Sequence, residues 1–357
     1  AYRLTNIITA SRNVVIQLIV TILTTFWLGS IVFNSLIILG LFKPMPAMFM
    51  AILFYAAFHC QSNAKRTNVH FLKRLVKIAY LVFRNRNHTQ IAKIVTSIFL
   101  IQTFVLVTRS LLLPMITWDS LTYHTLKANL WVQNGCHYTI ESPGLWQSYK
   151  TFFGAGESFT ALSMIFTSHD ILGSIPDSVI WILLGCASFS LFRELRLRSS
   201  SALCLSGAFL TTPAIMHVIG SGYVDNTVSA FLIGGCLFFI RLIKTRKVEN
   251  IYLASMAYGL AGSIKVNGLA TAIIMIALMV ITAKAIRAIT VRNILLSSAI
   301  FIGTFSPWLY FNYLTSGLIL GATPVKAGPL IIGRMPPELV YFFSAPEITP
   351  YSFSNET

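Results

Sequence analysis

The sequence predicts an all-α protein that crosses a membrane about nine times. Three observations carry this. Of 357 residues, 55% are hydrophobic and only 11% charged, where a soluble globular domain carries roughly 25% charged residues. The mean hydropathy is +0.72, and near-continuous apolar runs of about 18–25 residues recur, the length an α-helix needs to cross hydrocarbon. The short alternating segments of a transmembrane barrel are absent. Finally, the net charge of +16 is not spread evenly. Basic residues collect in alternate short loops, where membrane topology puts them. That pattern excludes nucleic acid as the partner the charge would otherwise imply and leaves membrane lipids as the expected surroundings.

The elements follow in order. Residues 1–61 read as a transmembrane hairpin: an apolar run over 14–41 behind Arg3 and Arg12, a Lys43-Pro-Met-Pro turn, and a shorter run over 47–59. Residues 62–93 carry eight basic residues and no acid, with an amphipathic middle over 71–83. This reads as a cytoplasmic segment lying on anionic headgroups. A third span covers 94–116 and leads into an outer loop over 117–174. Inside that loop, 151–167 is apolar but interrupted by Gly154, Gly156 and Glu157, which predicts an interfacial or re-entrant helix that does not cross. Further spans are expected at 175–191, 202–219, 226–243, 251–264, 269–283 and 294–314. Residues 325–357 form an outer polar tail.

Charge fixes the sidedness of this layout. Twenty of the 27 Lys and Arg residues fall in the inner segments and nine of the eleven acids on the outer side. The positive-inside rule then puts the N-terminus in the cytoplasm, and Asp119, Asp225 and the tail on the outer face. The five cysteines have no paired spacing, so neither a disulfide framework nor a zinc site is indicated.

The best stretch for chemistry runs from Pro114 to Tyr138. Asp119, Tyr123 and His124 arrive together where the third span must leave the lipid, and on an α-helix Asp119 and Tyr123, four apart, would share a face. Acids at membrane depth are costly and mark function. The plain structural alternative for Asp119 is a helix N-cap. Asp225, in Gly220-Ser-Gly-Tyr-Val-Asp-Asn, has the same two readings. Lys265 stands in Gly259-Leu-Ala-Gly-Ser-Ile-Lys-Val-Asn-Gly between two apolar runs. A lysine there either snorkels or, at a glycine-bounded helical break, meets a phosphate near headgroup level. Asn312 falls at the outer end of the last span. No nucleotide-binding, zinc-protease or Ser-His-Asp motif appears.

Trp118-Asp-Ser-Leu-Thr-Tyr-His, with Trp131-Val-Gln-Asn-Gly after it, resembles the first outer loop of bacterial GT-C membrane glycosyltransferases, relatives of the protein O-mannosyltransferases and lipid A aminoarabinose transferases. The likeness continues through the Gly-x-Glu at Glu157, Arg193-Glu-Leu-Arg-Leu, the turn at Asp225, the break at Lys265 and Pro307-Trp-Leu-Tyr-Phe-Asn-Tyr-Leu, and covers 94–324. The resemblance implies inverting sugar transfer from a polyprenyl-phosphate-linked donor to a glycan, lipid or protein acceptor. The transfer would run on the extracytoplasmic face of a bacterial inner membrane. It makes Asp119 the general base and Lys265 the counter-charge to the departing phosphate. Tyr123, His124, Glu157, Asp225 and Asn312 become acceptor or auxiliary residues. Asp119, Asp225 and His124 are the residues that could hold a divalent metal ion.

The chain departs from the family in lacking an acid adjacent to Asp119. A catalytically inactive integral subunit, working beside other membrane subunits, is therefore the second expectation. A transporter of a lipid-linked precursor is the third, though it would place charge at the bilayer midplane and show internal repeats.

Overall fold

The structure is a computed structural model that describes residues 13–60, 89–139, 152–167, 169–285, 290–316, 319–320, 325–327 and 330–332. Most of the basic segment 62–93 lies outside them, as does most of the tail 325–357. The described chain is helical, apart from an antiparallel pair of three-residue strands, Val325–Ala327 with Leu330–Ile332.

Twelve α-helices follow one another among the described residues: α1 Val14–Ile38, α2 Pro44–Cys60, α3 Gln90–Leu112, α4 Thr125–Asn134, α5 Ala155–Met164, α6 Ile175–Glu194, α7 Ser199–Leu210, α8 Pro213–Val218, α9 Asp225–Thr245, α10 Glu249–Ile264, α11 Val266–Ala285 and α12 Val291–Ser316. Local sequence sets several of their ends. Asn13 Oδ1 accepts from the Val15 and Ile16 amides at the start of α1, and Thr89 caps Ala92 N at the start of α3. Pro176 and Pro213 occupy first-turn positions of α6 and α8, where a missing N–H costs nothing. Gly135, at φ +70°, closes α4.

Among the described residues, six helical stretches are long and apolar enough to cross a membrane: Val14–Ile38, Gln90–Leu112, Asp170–Glu194, Asp225–Thr245, Val266–Lys284 and Val291–Thr315. The other three expected spans are present as shorter pieces. The run 47–59 belongs to the 17-residue α2. The run 202–219 is broken into α7 and α8, because Thr212 is extended and Pro213 restarts the helix. The run 251–264 is the 16-residue α10, about 24 Å long at 1.5 Å per residue, and almost wholly buried.

Burial gives the architecture. α9 packs against α6 and α10, and α10 against α11 and α12, while α1 lies across α6, α10 and α5. The buried apolar residues form one cluster through these helices, among them Phe26, Trp181, Phe231, Phe238 and Tyr258. α10 is apolar all round, as a helix enclosed by others must be. α3 is the opposite. Its apolar window is 11% buried, against 50% for α1, α6 and α9, so it presents most of its surface to the surroundings.

The two ends of the bundle are held differently. At one, Glu194 at the end of α6 accepts from Arg241 near the end of α9 at 2.6 Å, with Lys244 also on the same carboxylate. At the other lie the end of α3, the start of α6, the turn before α9 and the break between α10 and α11. The short helices α4 and α5 pack there.

Candidate functional site

The Pro114–Tyr138 stretch is stitched to the turn that precedes α9. Thr117 Oγ1 donates to Ser221 O at 2.6 Å, and Ser120 Oγ bonds the same carbonyl. Gly222 has φ +79°, and a Cβ there would sit 2.5 Å from Ser120 Oγ and 2.6 Å from Met115 Sδ. Only glycine meets both demands. The Gly222 amide donates to Asp177 Oδ2 at 3.2 Å, and Arg109 lies against Gly220. So the opening loop and the Asp225 turn are one packed unit.

Residues Ser120–His124 form a π-turn, with the Thr125 amide bonded to Ser120 O. Asp119 and Tyr123, expected on one α-helical face, are joined here through a π-turn, and such single turns are frequent at functional sites. His124 turns inward, at 4% exposure. Tyr123 is half-buried beside it, with ring centroids 4.0 Å apart. Asp119 precedes the turn, half-buried, and makes no capping hydrogen bond. The capping alternative thus loses its support at this position.

α5 brings Glu157 to His124. Its first turn lies tightly on the loop before α9, where a Cβ on Gly156 would fall 2.3 Å from Val224 Cγ1. Glu157 is 2% exposed, and His124 Nδ1 lies 2.7 Å from its Oε1. A carboxylate has no proton to give, so the imidazole donates. Lys127, one turn further along α4, is 7% exposed, and its Nζ donates to Phe152 O at 2.8 Å. Burial works against ionisation of Glu157, yet His124 and Lys127 together hold its carboxyl below the usual carboxylate range. Burial lowers the Lys127 ammonium from its ordinary value, and Glu157 resists that shift. Among the described residues, two buried polar atoms of this group have no hydrogen-bond partner: His124 Nε2 and Glu157 Oε2. Leaving such atoms unpaired costs about 1–3 kcal/mol each.

Lys265 is the single extended residue between α10 and α11, at φ −145° and ψ 150°. Its Nζ donates to Asp225 Oδ1 at 2.7 Å. Asp225 is the first residue of α9, so its carboxylate also faces the positive end of that helix. The ion pair is open to solvent, with side chains 31% and 53% exposed, so its contribution to stability is small.

A cavity of about 270 Å³ connects the two pairs, lined by Tyr123, His124, Phe153, Glu157, Lys265 and Asn267 among others. Four of the expected site residues thus line one cavity: Tyr123, His124, Glu157 and Lys265. Asp225 joins through its ion pair. Asp119 and Asn312 do not line the cavity. Asn312 is buried on α12, next in sequence to Phe311, whose ring stacks on His137 at 4.4 Å. Among the described residues no three His, Cys, Asp or Glu side chains gather in a group able to hold a metal, so Asp119, Asp225 and His124 are not assembled as one ligand set.

Lys127 and the Asp177–Gly222 contact were missed by sequence reasoning. The signal for Lys127 was present: it is one of few basic residues in the segments that the charge pattern assigns to the outer side, and it lies three residues after His124. Nothing in the sequence foretells that Asp177 accepts from an amide 45 residues away.

What fold and site define is a polytopic helical membrane protein with a largely apolar cavity at one end of its bundle into which a few polar side chains are set. No protein-family model, no curated protein and no solved structure matches the chain.

Proposed function

We propose that the protein is a membrane glycosyltransferase that moves a sugar from a polyprenyl-phosphate-linked donor to an acceptor hydroxyl. In this reading it has the GT-C architecture, sits in a bacterial inner membrane with its N-terminus in the cytoplasm, and works on the extracytoplasmic face. The three shorter pieces α2, α7–α8 and α10 complete nine crossings. The acceptor belongs to a glycan, a lipid or a protein.

One observation carries the reading. A cation at a helix break, Lys265, opens onto the same cavity as a buried imidazole–carboxylate pair. Transfer from a lipid phosphate needs those two things: positive charge where the phosphate departs and a base where the acceptor hydroxyl arrives. The departing phosphate is a stable anion, so no protein acid need protonate it. Asp225 holds the Lys265 ammonium toward the headgroup level. The base comes from the turn that opens the site, either Asp119 at its start or His124 at its end. No step is routed through a metal, since the donor set for one is not assembled among the described residues.

The test uses purified protein in lipid vesicles with polyprenyl-phosphate-linked mannose, glucose, galactose and arabinose. Release of polyprenyl phosphate is expected with one of the four, with water or an added hydroxyl acceptor taking the sugar. Lys265→Ala weakens binding of that donor roughly tenfold or more, the weight of one charge-assisted contact. No release with any donor, or unchanged donor affinity in Lys265→Ala, contradicts the reading.

A further inference from the structure

We infer that His124, positioned by Glu157, is the group that takes the proton from the acceptor hydroxyl; this rests on the transferase reading above. The resemblance in the sequence points instead to Asp119, and the geometry separates the two. Asp119 lies outside the cavity wall, whereas His124 and Glu157 both form it. Nδ1 of His124 donates to Glu157 Oε1 at 2.7 Å. In the neutral imidazole that bond places the proton on Nδ1 and makes Nε2 the acceptor. Nε2 is buried and unpartnered among the described residues, a state that an incoming hydroxyl resolves by donating to it.

Glu157 is suited to orientation. It is enclosed on α5, already bonded to His124, and counterbalanced by the buried Lys127. An imidazole on a carboxylate, itself held by surrounding structure, is the general pattern of a positioned base. Tyr123 and Tyr223 lie beside the ring, with centroids 4.0 and 6.2 Å from it.

The step balances without a further reagent. The acceptor O–H proton passes to His124 Nε2 as the acceptor oxygen forms its bond to the anomeric carbon. The bond from that carbon to the donor phosphate oxygen breaks, and its electron pair leaves with the phosphate facing Lys265. The imidazolium then returns its proton to water. Glu157 acts through His124 and is a positioning residue.

The experiment measures polyprenyl phosphate release and donor binding in vesicles for the wild type, His124→Gln, His124→Gly and Asp119→Asn, with whichever of the four donors the wild type turns over. His124→Gln is expected to lower turnover about 10²–10⁴-fold, the range for loss of a general base, while donor affinity stays within about threefold, since a base contributes to the reacting state and not to donor binding. Retained donor binding also reports that the variant is folded. Added imidazole is expected to restore part of the turnover in His124→Gly, which a merely structural role would not allow. Turnover within about tenfold of wild type in His124→Gln, or loss in Asp119→Asn alone, overturns the inference and returns the base to Asp119. Absence of turnover in the wild type overturns the transferase reading itself.

Discussion

The two ends of α9 use charge in opposite ways. At its C-terminal end, Glu194 binds Arg241 at 2.6 Å and Lys244 at 3.3 Å with all three side chains partly open to solvent. Basic residues are in excess there, and α6 and α9 close on left-handed arginines, Arg196 and Arg246. At the N-terminal end, His124 meets Glu157 at 2.7 Å with both side chains at 5% exposure or less. The distances are alike, but the surroundings are not. Hydrated ions tie the ends of α6 and α9 together and cost little. A buried pair must offset desolvation, and removing one partner leaves the other uncompensated. Retaining such a pair, with a buried lysine and two unpartnered atoms beside it, is understandable where the atoms have work to do.

The largest contrast between the ends is expected from single-partner removal. Glu157→Ala leaves Lys127 buried without its counter-charge and should destabilise the protein by about 3–5 kcal/mol. Its thermal midpoint in detergent should fall clearly, and combining it with Lys127→Met should recover part of the loss. If the double variant is no better than the single, the two groups are not coupled. Next comes packing. Gly156→Val drives a side chain into Val224, where even a Cβ comes within 2.3 Å, and should cost about 1–3 kcal/mol from overpacking. Equal stability would mean that α5 can move away from the α9 turn.

His137 gives a pH signature for the site end. Burial, helped by Lys127, lowers its pKa from 6.5 to about 4. The unfolded chain therefore takes up a proton that the folded one refuses. Stability conferred by neutral His137 is full above pH 6.5 and is lost as pH falls from 6.5 toward about 4. The whole loss is of order 3 kcal/mol. His137→Phe, which keeps a ring against Phe311, should flatten that limb of the stability profile. An unchanged limb would assign it to other groups. The smallest effect belongs to the other end: Glu194→Gln should change stability by no more than about 1 kcal/mol and should respond to salt.

The parts of this fold that could be read from sequence are those that depend on composition within one segment. The apolar runs became α1, α3, α6, α9, α11 and α12. The polar interruption at Lys265 is a one-residue break, and the glycine-rich 151–167 segment yields only a ten-residue α5. Averaged hydropathy passed over Pro213, which splits one expected span, because it counts apolar residues and not the backbone hydrogen bonds that proline ends. The site was partly legible for the same reason. Tyr123, His124, Glu157 and Lys265 stood out as polar groups in an apolar chain. Their assembly did not, since His124 and Glu157 are 33 residues apart and Asp225 and Lys265 are 40 apart. The π-turn was hidden as well, because one i→i+5 hydrogen bond leaves no periodic trace in the sequence.

The central claim is that the cavity between Lys265 and the His124–Glu157 pair receives a lipid-linked phosphate. Cryo-electron microscopy of the protein in lipid nanodiscs with added polyprenyl phosphate tests it most directly. The account predicts density for the phosphate within salt-bridge reach of Lys265 Nζ, in the cavity that His124 also lines. Polyprenyl phosphate bound elsewhere, with the cavity filled by a side chain of another subunit, would contradict it.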